Sequence, residues 1–575
     1  MNPAETLGRR DTQDHSCYRC LTASEKTPLS SNHIEPADES TPDDLYTSDY
    51  EVGQDNLQGL GLDIHNPVFL ISSVTIALFV LVTLLMPEQA AEHFSALRFY
   101  LTKELDWFFM YSMNGFLIFC VALALSPLGR IRIGGQTAVA EYHLLSWVSM
   151  LFAAGIGIGI MFYGVLEPMN HAITPPLGLT NLDAQATRDL AMAATIYHWA
   201  FHPWAVYVVV GLSLSFFCYN KGLPLLIRSA LYPLFGERIW GWPGHIVDIL
   251  AIFATLFGLA TSLGYGAEQA AGGLNYLFEL PTGNYTNILI VAVITALALI
   301  SVVRGLDGGI KRLSELNMIL AVLLGGFVLS MTPVLETLGF FVRYSMSYIE
   351  YLPALSSWSG RDDFYYMHDW TTFYWSWWIA FSPFVGMFIA RISSGRTVRE
   401  FVFGALLAPS LIFMLWMTIF GHTAIVQYFD ENVLAVAESV RNFQPELTLF
   451  IFLEQFPYAL VTSILGLFLV IIFFVTSMDS GSLVVDTMAA GGKIKTPLFQ
   501  RVFWCVALGM IGIALLLGGG LSSVQALSLA SAFPFTMIIM LMVVSLLLGL
   551  TRELRLIRAA EDDAASDEPK ASGHA

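Results

Sequence analysis

The sequence is poor in charged residues, poor in cysteine and short of basic side chains. Charged residues fill 13% of its 575 positions, about half the share in a soluble domain, so an ordinary soluble fold is excluded. The cysteines follow no regular spacing, which excludes a disulfide scaffold; they are Cys17, Cys20, Cys120, Cys218 and Cys505. Lys and Arg number 28 against 46 Asp and Glu, a net charge of −18, which leaves no basic surface for nucleic acid.

Apolar residues, by contrast, are abundant. They make up 55% of the chain, and the mean hydropathy is +0.62. A bilayer core is crossed by about 20 apolar residues, which must be helical because lipid cannot satisfy backbone polar groups. About twelve segments qualify, beginning near Pro67, Trp107, Leu145, Leu190, His245, Tyr285, Leu313, Thr371, Phe401, Tyr458, Val502 and Val524. The sequence therefore predicts an all-α integral membrane protein.

Two polar tails flank the predicted membrane domain, residues 66–551. Residues 1–65 are acidic and rich in Ser, Thr and Pro, which predicts a disordered tail, and residues 552–575 form the second tail. No apolar run follows the start of the chain, so no cleaved signal is expected. Cys17 and Cys20 have no second ligand pair at zinc-site spacing, and we interpret them as unstructured thiols. Stretches near 430–441 and 305–312 are amphipathic and predict interfacial segments.

The basic residues between spans predict the orientation in the membrane. Lys and Arg concentrate in the even-numbered loops, for example Arg130 and Arg132, then Arg391 and Arg396. Cytoplasmic loops hold this excess. Both termini are therefore predicted to be cytoplasmic.

Alternate glycines interrupt the third span. Gly155, Gly157 and Gly159 are spaced at i, i+2 and i+4, which does not line one helical face as Gly-x-x-x-Gly would. The pattern predicts an unwound segment, whose free carbonyls suit a cation and whose free amides suit an anion. The alternative is a surface for helix dimerisation.

Aromatic residues form a stripe along the eighth span. Trp370, Tyr374, Trp378 and Phe381 are separated by four, four and three residues, so they share one helical face over about 16 Å. A belt at the membrane interface, the alternative, needs only one or two rings per helix end. Stacked rings offer a negative face without formal charge, which suits a quaternary ammonium or other onium cation, at about 2 kcal/mol per desolvated contact. No buried carboxylate is required for such a ligand.

Adjacent hydroxyl residues lie in the middle of the tenth span. Thr476 and Ser477 follow Phe473 in a long apolar run. With carbonyls of the unwound third span they would make an oxygen cage for Na⁺. The alternative is that each hydroxyl bonds to its own helix backbone.

Taken together, the third-span glycines, the aromatic residues of the fourth span and the run 370–400 resemble the betaine/choline/carnitine transporter family. The likeness covers about residues 65–550. The resemblance implies a LeuT-like fold of two inverted five-helix repeats, about 143–331 and 370–550, preceded by two extra helices. It also implies a bacterial inner-membrane protein, commonly a homotrimer, with no cofactor beyond a coupling ion.

The resemblance also implies the site residues. The substrate box would be Trp199, Trp204, Tyr207, Trp377 and Trp378. To it our own interpretation of the spans adds Phe381, Gly155, Gly157 and Gly159, and an aromatic gate or stripe of Trp370, Phe373, Tyr374 and Trp375. The sodium site would use backbone at Ala153 and Ile156 with Phe473, Thr476 and Ser477.

Several positions depart from family patterns or distinguish its members. Phe381 stands where the family typically has a further Trp, which weakens the cation–π surface. Leu259 stands where sodium-coupled relatives place a hydroxyl one turn after Thr255, which weakens a second sodium site there. Gly159 is intact where proton-coupled choline transporters tend to have Asp, and no Arg lies in the fifth or tenth span. The intact Gly159 and the absence of Arg count for sodium coupling, Leu259 counts against a second sodium site, and the balance favours Na⁺ symport.

From these features we expect a secondary transporter that imports glycine betaine with Na⁺ by alternating access, for osmoprotection. Uptake of choline, carnitine, ectoine or dimethylsulfoniopropionate, or proton coupling, is the alternative within the class. A membrane receptor that binds the same ligand without moving it is a second alternative, although the short tails contain no second domain. An enzyme is not expected, because His198 and His202 precede Pro203 among aromatic residues and have no carboxylate at metal-site spacing.

Overall fold

The computed structural model describes residues 46–59, 61–155, 157–304 and 311–567. A short antiparallel hairpin, β1 (Asn56–Gly59) and β2 (Leu62–His65), precedes the helices. The first helices are α1 (Val68–Leu85), α2 (Pro87–Leu125), α3 (Leu144–Gly155), α4 (Ile158–Ile173), α5 (Ala184–Trp199), α6 (Phe201–Tyr219), α7 (Tyr232–Phe235), α8 (Trp242–Phe278), α9 (Asn284–Arg304), α10 (Lys311–Ser330) and α11 (Val334–Leu355). The later helices are α12 (Phe373–Arg391), α13 (Val398–Met417), α14 (Thr423–Phe429), α15 (Ala435–Arg441), α16 (Thr448–Glu454), α17 (Ala459–Ala489), α18 (Leu498–Leu517) and α19 (Leu521–Asp567).

The predicted membrane helices are present. Within the described ranges, eleven helical stretches are long and apolar enough to cross a bilayer, among them Ala184–Tyr219, which joins α5 and α6. The predicted third span is absent from those eleven because it is divided into α3, of 12 residues, and α4, of 16 residues. With this pair the count agrees with the twelve predicted segments. The all-α integral membrane fold is confirmed.

The glycine-rich segment breaks the third span as predicted. Helix α3 ends at Gly155 and α4 begins at Ile158. Gly157 between them is extended, with φ −139° and ψ −170°. Backbone groups at such a break are not used by helix hydrogen bonds, so they are free to meet a ligand.

Two other aromatic-rich spans are also irregular. A stretch of π-helix, Tyr365–Thr372, leads into α12, and such stretches are frequent at functional sites. Helices α5 and α6 meet at Ala200, whose φ of −96° and ψ of −121° are not helical. Pro203 lies in the first turn of α6. A backbone N–H in that turn has no acceptor within the helix, so its absence in proline removes no helical hydrogen bond. The deviations from regular helix thus concentrate in the spans that contain the predicted site.

Helices at corresponding positions of the two predicted repeats pack against each other. Helix α8 packs against α17, α9 against α18, and α6 against α13, each pairing one helix with its counterpart in the other repeat. Helix α8 of the first repeat also packs against α19, the last helix of the second. The corresponding contact joins α17 of the second repeat to α10, the last helix of the first. Two repeats related by an approximate two-fold axis produce this pattern. The repeats, their limits and their inversion in the membrane stay predictions.

Ordered structure extends into both predicted tails. The described residues 46–59 and 61–65 of the amino-terminal tail include the hairpin, which is held by an ion pair between Asp63 and Lys493 at 2.7 Å and by a hydrogen bond from Asn56 to the carbonyl of Ala490 at 2.8 Å. These tertiary contacts compensate for a local composition that would not fold alone. At the other end α19 continues as one helix to Asp567, beyond the predicted limit at 551.

One long helix lies outside the predicted spans. Helix α11 packs against α5, where Arg343 donates two hydrogen bonds to Asp189, at 2.8 and 2.7 Å. Helix α11 was not predicted as a span because its polar and charged residues interrupt the apolar run that a span requires. Of the two predicted interfacial segments, 430–441 contains the short helix α15, whereas most of 305–312 lies outside the described residues. Helix α2 also begins earlier than expected, at Pro87 instead of near Trp107.

Candidate substrate site

The five aromatic residues assigned to the substrate box lie together between α5, α6 and α12. The ring of Trp378 meets Trp199 edge-on at 5.3 Å and Tyr207 at 5.8 Å. Trp204 meets Tyr207 edge-on at 5.4 Å, and Trp377 is stacked beside Trp378 at 6.2 Å. All five side chains are buried. The fold therefore gathers residues separated by almost 180 positions into one aromatic cluster.

The stripe along the eighth span continues from this box. Trp370 is stacked with Tyr374 at 6.2 Å, and Tyr374 with Trp377 at 6.4 Å. Phe373 is stacked with Trp377 at 5.6 Å. These rings face the interior, as the helical spacing predicted, so the stripe is part of the protein core and is not an interfacial belt.

Two aromatic residues of the eighth span point elsewhere. Trp375 packs on the opposite side, against Tyr197 at 5.0 Å and His202 at 5.5 Å. Phe381 is only half-buried, and its ring contacts Phe384 at 5.3 Å. The structure shows no ring contact between Phe381 and the five described box residues, so it does not bring Phe381 into the box.

Gly159 is required for the close approach of the broken span to the box. A Cβ atom at this position would lie 2.5 Å from Cη2 of Trp199 and 3.5 Å from Cη2 of Trp377. The two indole rings thus lie directly against the start of α4. Gly157 has open space around it, and Gly155 is the last residue of α3.

A buried carboxylate that sequence reasoning left without a role adjoins the box. Glu167 on α4 has no exposed surface. Its Oε2 accepts hydrogen bonds from Nε1 of Trp199 and from the hydroxyl of Tyr374, both at 2.6 Å. An ionisable residue inside a membrane helix is itself a signal of function, but from sequence Glu167 lies near the end of a predicted span, where a charge needs no special role.

His198 connects the same carboxylate to the eighth span. Its Nδ1 lies 2.6 Å from Oε1 of Glu167, and its Nε2 lies 3.0 Å from the hydroxyl of Thr371. The backbone carbonyl of His198 accepts a hydrogen bond from Nε1 of Trp378 at 3.0 Å. His202 instead bonds to Asn114. The two histidines therefore have separate partners, and His198 has a carboxylate partner, Glu167, that the sequence spacing did not reveal.

Glu167, His171 and His198 also have the donor types of a divalent-metal site, with ligand atoms within 4.8 Å of one another. Both nitrogens of His198 already have hydrogen-bond partners, and its 2.6 Å contact with Glu167 is a hydrogen-bond distance. Two metal ligands on one ion would be farther apart than that. We therefore interpret the group as a hydrogen-bonded network.

Two of the predicted sodium residues line a small cavity beside the broken span. Phe473 and Ser477 of α17, with Ile158 at the start of α4, line a cavity of about 10 Å³, enough for about one water-sized particle. Ala153 lies in α3, and Ile156 lies outside the described residues.

The hydroxyl of Thr476 does not line this cavity. It donates to carbonyls of its own helix, at Ile472 and Phe473, and accepts from Asn317 of α10 at 3.2 Å. Adjacent helical residues point about 100° apart, which separates Thr476 from Ser477. At Thr476 the structure therefore shows the backbone bonding that was the alternative to a sodium ligand.

Ser262 of α8 is a cavity residue that sequence reasoning missed. The signal for it is an internal match: Thr261 and Ser262 precede Gly266 in α8 as Thr476 and Ser477 precede Gly481 in α17. These helices are counterparts in the two predicted repeats. Related positions would therefore face one another across the approximate two-fold axis.

Thr255, the other candidate sodium residue, is engaged within its own helix. Its hydroxyl donates to the carbonyl of Ala251 at 2.8 Å. One turn later Leu259 packs against Gly481, where a Cβ atom would lie 2.2 Å from the Leu259 side chain. The leucine thus fills the space between α8 and α17.

Two tyrosines complete the aromatic cluster and were also missed. Tyr163 on α4 contacts both Trp199 and Trp377, and Tyr265 on α8 is stacked with Trp377 at 5.5 Å. Both tyrosines lie in spans rich in small residues, where no regular spacing of aromatic residues indicated that they belong to the site. Their positions depend on how α4 and α8 are rotated in the bundle.

Comparison with known proteins agrees with this architecture. The profile of the betaine/carnitine/choline family transporters matches residues 67–555. The chain belongs to this family. A glycine betaine/proline/choline transporter of Vibrio parahaemolyticus is 52% identical over 528 residues, which are 88% of this chain and 95% of that protein.

Other relatives in the same family agree. The glycine betaine transporter 1 of Vibrio parahaemolyticus is 48% identical over 516 residues, covering 88% of this chain and 98% of that one. The glycine betaine transporter OpuD of Bacillus subtilis is 38% identical over 498 residues, covering 86% and 96%. This chain is thus a multi-pass membrane protein of a transporter family, and its recognition from sequence is confirmed.

Proposed function

We propose that this transporter imports glycine betaine, and that the box of Trp199, Trp204, Tyr207, Trp377 and Trp378 binds its trimethylammonium group. The supporting observation is the packing of these rings against one another and against the break between α3 and α4. Aromatic faces attract an onium cation without a formal charge. The names of all three relatives described above include glycine betaine.

The carboxylate of a zwitterionic substrate would have donors in the same box. Nε1 of Trp204 and the hydroxyl of Tyr207 are buried and form no hydrogen bond with any described residue. Buried polar groups normally have partners. A substrate carboxylate would satisfy both, while choline would satisfy them less well because its hydroxyl carries no charge. This favours betaine over choline, which stays the alternative substrate.

We further propose that Na⁺ is the coupling ion. Its support is the small cavity beside the break, which Ser477 of α17 and Ser262 of α8 line together with Ile158 and six other apolar residues. Hydroxyl and carbonyl oxygens are suitable ligands for a hard cation, and free carbonyls occur at broken membrane helices. Ser477 is the side-chain ligand in this proposal, and Thr476 supports α17 through Asn317.

Proton coupling is the second candidate, favoured by one observation. Asp479 is buried in α17, and its Oδ2 forms no hydrogen bond with a described residue. Carboxylates within membrane helices commonly form proton relays. Asp479 lies less than one helical turn beyond Ser477, so either ion would act on the same segment of α17.

The cellular setting is also proposed. We place the protein in a bacterial inner membrane with both termini cytoplasmic, because the even-numbered loops hold the basic residues. Import would serve osmoprotection, and the assembly would be a homotrimer, as is common in the family. Labelling of single cysteines placed in the tails of intact cells would test the orientation.

The test of function is uptake of radiolabelled glycine betaine by proteoliposomes. An inward Na⁺ gradient, a proton gradient and no gradient are compared in wild type, in Trp378→Ala and in the control Trp358→Ala, an exposed residue of a loop. Accumulation that requires Na⁺ and is lost only in Trp378→Ala would support the proposal. Accumulation driven by protons would favour Asp479. No uptake of betaine, with uptake of choline, would refute the proposed substrate.

A further inference from the structure

The carboxylate of Glu167 joins three elements of the site. Glu167 belongs to α4, whereas its partners Trp199 and His198 belong to α5 and Tyr374 belongs to α12. Helices α4 and α5 lie in the first predicted repeat, and α12 opens the second. One buried side chain therefore fixes rings from both repeats.

The hydrogen bonds hold the rings by their edges. The indole N–H of Trp199 and the hydroxyl of Tyr374 both lie in the planes of their rings, so bonds to Oε2 leave the ring faces available to neighbours. The rings of Trp199 and Trp378 are perpendicular at 5.3 Å, and Tyr374 stacks on Trp377. Rotation of either bonded ring would break a charge-assisted hydrogen bond, one of the stronger kinds in proteins.

The other oxygen of the carboxylate is also engaged. Oε1 lies 2.6 Å from Nδ1 of His198 and 3.4 Å from Nε2 of His171. His198 continues the network to Thr371 and, through its backbone carbonyl, to Trp378. A buried carboxylate needs several donors to remain in the interior, and these are all supplied by residues around the box.

We propose that Glu167 is a positioning residue, whose hydrogen bonds set the orientation of Trp199 and Tyr374 and thereby the affinity of the box for an onium headgroup. This inference rests on the proposed function. The role requires the length and acceptor geometry of the side chain more than its charge. A carbonyl oxygen in the place of Oε2 would still accept from both rings, whereas a side chain shortened by one methylene would not reach both.

Glu167→Gln and Glu167→Asp separate position from charge. Glutamine keeps the length and one acceptor, its amide can donate to Nδ1 of His198, and it loses the charge. Aspartate keeps the charge and loses the reach. We expect KM for betaine uptake to rise less than threefold in Glu167→Gln and more than tenfold in Glu167→Asp, with a smaller change in maximal rate. The opposite order, or equal values of KM in the two variants, would overturn the proposal.

Two further variants test the proposal without relying on the folding of Glu167→Asp. Tyr374→Phe removes one donor and retains the ring, and we expect KM to rise at least threefold; a wild-type KM would overturn the proposal even if Glu167→Asp does not fold. Glu268→Gln neutralises a half-buried carboxylate of α8 outside the network and controls for loss of charge in the membrane domain. Its KM is expected to equal that of wild type.

A readout without substrate distinguishes this proposal from the proposed function. Near-ultraviolet circular dichroism of the purified, ligand-free protein reports the packing of the aromatic rings. We expect the spectrum to change in Glu167→Asp and to be retained in Glu167→Gln. If wild type takes up no onium compound, the proposed function fails while this spectral comparison still tests the positioning of the rings. Identical spectra in all variants would refute the positioning itself.

Discussion

Replacement of Gly159 by alanine tests the contact between the broken span and the aromatic box. The added Cβ would lie 2.5 Å from Cη2 and 3.0 Å from Cζ3 of Trp199. Carbon atoms in favourable contact are about 3.5–4.0 Å apart, so the ring or α4 must move by about 1 Å. The indole has little freedom to move, because its N–H is bonded to Glu167 on the same helix.

The size of the effect follows from the cost of overpacking. An extra methyl group in a closely packed interior costs about 1–3 kcal/mol. If that cost falls on the substrate-bound state, the affinity falls by about 5- to 150-fold. We therefore expect Gly159→Ala to raise KM for betaine uptake within this range, with a smaller effect on the amount of folded protein.

The assay is initial-rate uptake in proteoliposomes, together with thermal unfolding in detergent. Gly115→Ala is the matched control, since a Cβ at that position in α2 would meet no atom within 4 Å. We expect its KM to be that of wild type. A wild-type KM in Gly159→Ala would refute the inference that Trp199 must lie against the start of α4 for substrate to bind.

The remaining predictions concern the box, the ion and the amino-terminal hairpin. Trp378→Ala removes one cation–π contact of about 2 kcal/mol and should raise KM at least about 30-fold, whereas an unchanged KM would exclude this ring from binding. Ser477→Ala should raise the Na⁺ concentration for half-maximal uptake several-fold, whereas KM for betaine at saturating Na⁺ should not change. An equal Na⁺ dependence in wild type and Ser477→Ala would contradict Ser477 as a sodium ligand. Burial and the nearby Arg228 lower the pKa of His65 to about 3, so the docked hairpin holds a neutral imidazole. Since a free histidine binds a proton below about pH 6.5, docking is fully stabilised above that value and weakens as pH falls from there toward 3. Thiol labelling of Ile64→Cys, divided at each pH by the labelling rate of the urea-unfolded protein to correct for the falling thiolate fraction, should therefore increase from pH 7 to pH 5, and His65→Gln should abolish that increase.

The sequence predicted most of the secondary structure because the bilayer imposes a strict local rule. An apolar run of sufficient length must be helical in lipid, which located the spans from composition alone. The alternate glycines likewise predicted the break near Gly157, since small residues without side chains weaken a helix wherever they occur. Helix α11 was missed because its polar residues satisfy no such rule.

The aromatic residues show which features of the site the helical spacing predicted and which it did not. The spacing of Trp370, Tyr374 and Trp378 predicted one helical face, and the structure confirms that these rings pack inside. The same spacing included Phe381, which is only half-buried and whose ring contacts Phe384, so a position on the predicted face does not by itself place a ring in the box. Resemblance to the family supplied the remaining box residues on α5 and α6.

What the sequence by itself determined is the membrane class, the helical spans, the glycine break and the aromatic character of the site. Only the tertiary structure decided which side chains meet. Glu167 lies 32 residues from Trp199 and 207 from Tyr374 along the chain, and no periodicity of α4 indicates either partner. Hydropathy and spacing describe one helix at a time, whereas a contact between helices depends on their rotation and relative height in the bundle, which all neighbouring side chains set together.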